Sequence, residues 1–173
     1  MIETWFGTLT IEIWRLIVIF FIAGIGVNIF INIIAKICGA KGERKREFNL
    51  DIYHLFEAII LAPFLEELIF RGPIFWFFKG FSMASLLVLI SWSGIIFGLS
   101  HVIRKNKKNK KEWKIFPNRI YIIRIIIISA VLGILLGILV ILTNSLLATM
   151  ILHAMLNSFA AFASFLTIYT KKS

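Results

Sequence analysis

Cysteine is all but missing from this chain. Cys38 stands alone among 173 residues, so an intrachain disulfide is excluded and the redox compartment is left open. No GxSxG elbow occurs, and Cys38 is remote in sequence from any base. Both facts count against a covalent serine or cysteine nucleophile. HExxH is absent as well, and no two histidines have the spacing of helical metal ligands. No internal repeat is visible, and the only low-complexity stretch is a lysine-rich loop. The first apolar run carries Glu3, Glu12 and Arg15, continues past the length of a signal peptide's h-region and lacks a small-residue cleavage site. It reads as a retained anchor.

What the chain has in excess is apolar side chains. Hydrophobic residues make up 60% of it and the mean hydropathy is +0.92, against an apolar share of about 45–50% in soluble domains. The class is an integral membrane protein. The formal net charge is +10, which in a soluble protein suggests nucleic acid. Here the basic residues cluster in loops between apolar runs, so they report membrane topology and no nucleic-acid partner.

Five spans are expected: Ile11 to Ile37, Leu50 to Phe78, Ser82 to Ile103, Ile120 to Leu142 and Leu146 to Tyr169. Each is near the roughly 20 residues that cross a hydrocarbon core of about 30 Å. The fold class is therefore all-α, a polytopic helix bundle. Pro63 and "RGP" at 71–73 interrupt the second span. A break at Pro63 would let residues 50–62 lie in the interface as a separate helix. The loops 41–46 and 104–114 and the tail "KKS" are basic, whereas the N-terminus, the turn near Lys79 and "TNS" at 143–145 are not. The positive-inside rule then puts the N-terminus out and the C-terminus in, across the cell's plasma membrane.

The stretch "LAPFLEELIFRG", residues 61–72, conflicts with that apolar setting. A charge at mid-bilayer costs about 2.5–3.5 kcal/mol on insertion scales, so such residues turn inward and carry function. Glu67 and Arg71 share a helical face at i and i+4, while Glu66 points about 100° away. Two further polar sets lie on other spans, "FGLSH" with Phe97 and His101, and "HAMLN" with His153 and Asn157. "GILLG", with Gly133 and Gly137, reads as a close-packing motif. Each set has a bland reading: a buried structural pair for Glu67 and Arg71, a snorkelling His101, and interhelical glue for His153 and Asn157. His54, Glu57 and Asp51 read as interfacial.

The order "EELIFR", "FGLSH", "HAMLN" resembles the CPBP family, the CAAX proteases and bacteriocin-processing proteins also called Abi, which includes the type II CAAX prenyl endopeptidase. The resemblance covers roughly residues 55 to 165 and leaves the N-terminal span outside. It divides the chain into an anchor with its basic loop, 1–48, and a protease core, 49–173. Pro73, directly after Arg71 and Gly72, departs from the pattern. The resemblance implies intramembrane proteolysis of a membrane-associated protein or peptide. Glu66 would be the general base, and His101 would hold the attacking water with it. His153 and Asn157 would stabilise the oxyanion, with Glu67 and Arg71 as a supporting ion pair. No cofactor is implied.

The residue types suit that chemistry independently, because Glu and His transfer protons while His and Asn donate hydrogen bonds. Zinc held by Glu66, His101 and His153 is the chemical rival. A non-catalytic immunity or scaffold protein and a small transporter are the rivals in other classes. The convergence itself is the difficulty. His101 lies near the end of its span and His153 deeper in its own, so the sites meet only with tilt, with a span extended past Ile103, or with an interfacial 50–62.

Overall fold

The computed structural model of the chain describes residues 7, 9–39, 52–77, 80–102, 104–105, 113–114 and 119–169. The basic loop 41–46, Asp51, Lys79, the middle of the lysine-rich loop and the tail "KKS" lie outside the described residues.

Helix α1 spans Ile11–Ile37, with Thr10 accepting the Ile13 N–H at its start. Three short helices follow, α2 (Ile52–Phe56), α3 (Ala62–Phe70) and α4 (Gly72–Phe77), with a π-helical turn, Glu57–Leu61, between α2 and α3. Helix α5 covers Met83–Ser100, α6 Arg119–Thr143 and α7 Leu146–Tyr169. In the basic loop, Arg104 and Lys105 pair antiparallel with Lys114 and Trp113. That two-residue ladder leaves the class all-α.

Among the described residues, four helices are long and apolar enough to cross a membrane: Ile11–Ile37, Met83–Ser100, Ile122–Thr143 and Leu146–Leu166. Within lipid every backbone N–H must find a carbonyl, and a helix does this inside one segment. Much of their apolar surface is open in the folded chain, with Ile22, Phe30 and Trp92 among the exposed side chains. That surface faces lipid, and the protein is an integral membrane protein.

Of the two interruptions expected in region 52–77, the structure shows one. The chain breaks at Arg71, at the start of "RGP", but stays helical through Pro63. The reason is local. Proline brings no N–H and its ring crowds the carbonyl four residues back. The backbone widens just ahead of it into the π register, in which the Ala62 N–H bonds to the Glu57 carbonyl. Pro63 then sits in the first turn of α3, where no intrahelical N–H is needed.

The helices close around two apolar clusters. One joins Ile13 and Ile17 of α1 to Leu136 and Leu139 of α6 and Ala148 and Leu152 of α7. The other joins Ile74, Phe75, Ile90, Val140, Leu146 and Met150. Asn144, with φ 47°, makes the left-handed turn between α6 and α7, a conformation that asparagine tolerates better than most residues. The most extensive pairing is between α5 and α6, and glycine permits it. A Cβ on Gly133 would lie 3.1 Å from the Gly94 Cα, and one on Gly94 would lie 2.8 Å from the Ala130 carbonyl oxygen. The two backbones therefore touch, as the "GILLG" reading anticipates.

Substituting Gly94→Val is expected to cost about 1–3 kcal/mol through overpacking. Gly26→Ala has nothing within 4 Å and is expected to be neutral or to stabilise by about 0.5–1 kcal/mol. Thermal unfolding of the two variants in one detergent, followed by tryptophan fluorescence, checks the contrast.

Candidate active site

Glu66 and Glu67 are neighbours on α3, and their divergence around the helix axis sets the geometry. The two carboxylates reach one imidazole at its two nitrogens. Glu67 Oε1 lies 2.9 Å from His153 Nδ1, and Glu66 Oε2 lies 3.5 Å from His153 Nε2. An ionised carboxylate only accepts hydrogen bonds, so Nδ1 carries the proton given to Glu67 and Nε2 is the end presented to Glu66. Glu67 is fully buried, while the Glu66 side chain keeps 30% of its surface open. Glu67 fixes the ring, and Glu66 is the more open of the two carboxylates.

Arg71 completes the line. It sits at the break after α3, one turn beyond Glu67, and its Nη1 lies 3.3 Å from Glu67 Oε1. Its Nη2 donates to the Gly133 carbonyl at 2.7 Å. Its guanidinium carbon stands 4.6 Å above the Phe97 ring. Arg71 is also fully buried, so both charges of the pair are desolvated. Sequence spacing correctly joined Glu67 to Arg71. It did not join Glu67 to His153, which lies 86 residues away, and no local signal carries that contact.

Phe97 is the hub that spacing placed only beside His101. Its ring meets His101 with centroids 4.6 Å apart and His153 with centroids 5.7 Å apart, in addition to underlying Arg71. His101 caps α5, which ends at Ser100, so the convergence uses no extension past Ile103. The His101 Nδ1 lies 2.8 Å from the Phe97 carbonyl. A carbonyl accepts, so Nδ1 is the donor there and Nε2 is left for another partner.

Asn157 lies one turn beyond His153 on α7, and its Nδ2 donates to the Ala58 carbonyl at 2.8 Å. The π turn explains why that carbonyl is available. With the Ala62 N–H on Glu57, the same register would give Ala58 the N–H of residue 63. That residue is proline and has none. Asn157 supplies the missing donor from another helix.

A cavity of about 390 Å³ lies beside these groups. Phe97, His101, His153 and Asn157 line it, together with Ser129 of α6. Glu66 is not part of that lining and adjoins it through His153. The remaining wall includes Gly24, Ile25, Asn28 and Ile29 of α1, a helix that the motif pattern does not reach. Among the described residues, no three His, Cys, Asp or Glu side chains are grouped to hold a metal ion. His153, the ligand common to any such set, has Glu67 at one ring nitrogen and Glu66 at the other.

Paired carboxylates and an oriented imidazole thus lie beside a cavity, inside a bundle of membrane helices. A protein-family model described as type II CAAX prenyl endopeptidase Rce1-like matches residues 48–159. The match covers more than half of the chain, and the chain belongs to that family. It is a membrane protease at the level of class, acting on peptide substrates at the bilayer. No curated protein and no solved structure matches the chain.

Removing one partner of a buried ion pair leaves the other charge uncompensated, which costs about 3–5 kcal/mol. Arg71→Met is therefore expected to destabilise strongly. Arg71→Met combined with Glu67→Gln is expected to recover part of that loss. Melting temperatures of the single and double variants in one detergent test the coupling.

Proposed function

We propose that the protein is a glutamic-type intramembrane endopeptidase that hydrolyses a peptide bond of a membrane-associated protein or peptide. The observation that carries the reading is His153 held between Glu67 and Glu66 at the edge of a cavity shared with His101 and Asn157. Glu66 takes a proton from water, and His101 holds that water with it. The hydroxide attacks the scissile carbonyl carbon. The oxyanion is met by the Asn157 amide and by His153, which donates from Nε2 when its ring carries both protons. The C–N bond then breaks, and Glu66 returns its proton to the leaving amine. Preorganised donors aimed at a developing oxyanion are the strongest device available to such a site.

Glu67 and Arg71 act through His153. They hold its ring by Nδ1 and touch no reacting atom. The proposal routes no step through a metal. The N-out, C-in orientation in the plasma membrane belongs to the same proposal. It rests on the basic loops and requires the broken segment 52–77 to complete a crossing.

Glu66→Gln removes the base and keeps the side chain's size. The expected outcome is a fall in kcat of about 10²–10⁴-fold, with unchanged membrane expression and melting temperature. The assay is cleavage of quenched fluorescent peptides by the purified protein in nanodiscs. Activity equal to the parent protein in Glu66→Gln would refute the mechanism. Chelator is expected to leave the parent rate unchanged, and loss of activity restored by zinc would replace this mechanism with a metal-dependent one.

A further inference from the structure

Asparagine is an expensive guest in a lipid-crossing helix, because an amide moved out of water without a partner loses its hydrogen bonds. Helix α1 carries two, Asn28 and Asn32, one turn apart in a run that is otherwise almost wholly apolar. The usual reason is a hydrogen bond to a neighbouring helix. That is not what they do. Asn32 Nδ2 donates back to the Asn28 carbonyl and to Asn28 Oδ1, both within α1.

This internal pairing has a directional result. The Asn28 Oδ1 is engaged by Asn32, so the amide presents its Nδ2 donors elsewhere. Among the described residues they have no acceptor. Asn28 lines the cavity that also holds His101, His153 and Asn157. Apart from Ser129 and Ser164, the lining between these groups is apolar, with Ile25, Ile29, Leu132 and Leu156. Gly24 brings α1 close enough to form that wall, since a Cβ there would stand 3.0 Å from Leu156 Cδ2.

A peptide entering an apolar cavity brings a carbonyl acceptor at every residue, and each needs a donor once water is displaced. We propose that Asn28 is a substrate-positioning residue, donating from Nδ2 to a main-chain carbonyl of the peptide bound beside His101, His153 and Asn157. The inference rests on the endopeptidase reading. It adds that α1, which lies outside the family-matched segment 48–159, forms part of the substrate site. Asn32 then serves as the brace that sets the Asn28 amide.

The test uses the full chain in nanodiscs and a library of random decapeptides, each flanked by a fluorophore and a quencher. The peptide cleaved best by the parent protein becomes the substrate for steady-state kinetics. Asn28→Leu removes the donor and is expected to raise KM roughly three- to tenfold, the loss of one hydrogen bond. The kcat is expected to stay within about twofold, the pattern of lost uniform binding. Asn28→Gln, which keeps an amide, is expected to recover part of the KM. An Asn28→Leu protein that cleaves with the parent KM overturns the inference and leaves the enzyme reading intact. A parent protein that cleaves no peptide overturns both. Where Asn28→Leu does not fold, Asn32→Leu frees the same amide from its brace and is expected to raise KM in the same direction. An unchanged KM in that variant overturns the inference as well.

Discussion

The buried line from Arg71 through Glu67 to His153 is the constraint on which the rest of the structure turns. Two opposite charges are held entirely out of solvent, and neither is tolerable there alone. Each therefore dictates its surroundings. Arg71 requires an acceptor and an aromatic face, and it obtains the Gly133 carbonyl and Phe97. Glu67 requires a cation and a donor, and it obtains the Arg71 guanidinium as its ion-pair partner and the His153 Nδ1–H as its donor. Four elements are thereby tied together by polar contacts of fixed geometry: the break after α3, α5, α6 and α7. Apolar packing alone has no such directional preference in lipid, where hydrocarbon meets hydrocarbon on either side.

Glycine makes the tie possible. The Gly133 carbonyl accepts from Arg71 because α5 and α6 approach until their backbones touch at Gly94 and Gly133. The same approach carries Phe97, three residues beyond Gly94, to the place where its ring meets Arg71, His101 and His153. Helix packing and site alignment are therefore one problem here, solved by the same few residues.

The long helices were legible because their cause is local. Ile11–Ile37 and Leu146–Tyr169 match the apolar runs end to end, since in lipid hydropathy dictates both the span and its helicity. The pairing of Glu67 with Arg71 was legible for the same reason, being a matter of helical spacing. The broken region was misread at Pro63 because proline has two outcomes. It ends a helix whose register is fixed, and it is absorbed where the preceding turn widens. Nothing in "EAIILAPF" marks which outcome applies. Contacts made across helices had no signal at all. The chain spells out Glu67 and His153 but not their meeting, and nothing in the apolar run Ile11–Ile37 marks Asn28 as the residue that faces a cavity.

The widened turn before Pro63 has a further implication. A π turn elsewhere is a dislocation free to migrate along its helix, handing its unmatched carbonyl from residue to residue. Here residue 63 has no amide proton, so in the π register of this turn the carbonyl left unmatched is that of Ala58. Asn157 is moored to that oxygen. An imino acid on one helix thus sets the bearing of a carboxamide on another, and the moorage lasts as long as the ring does.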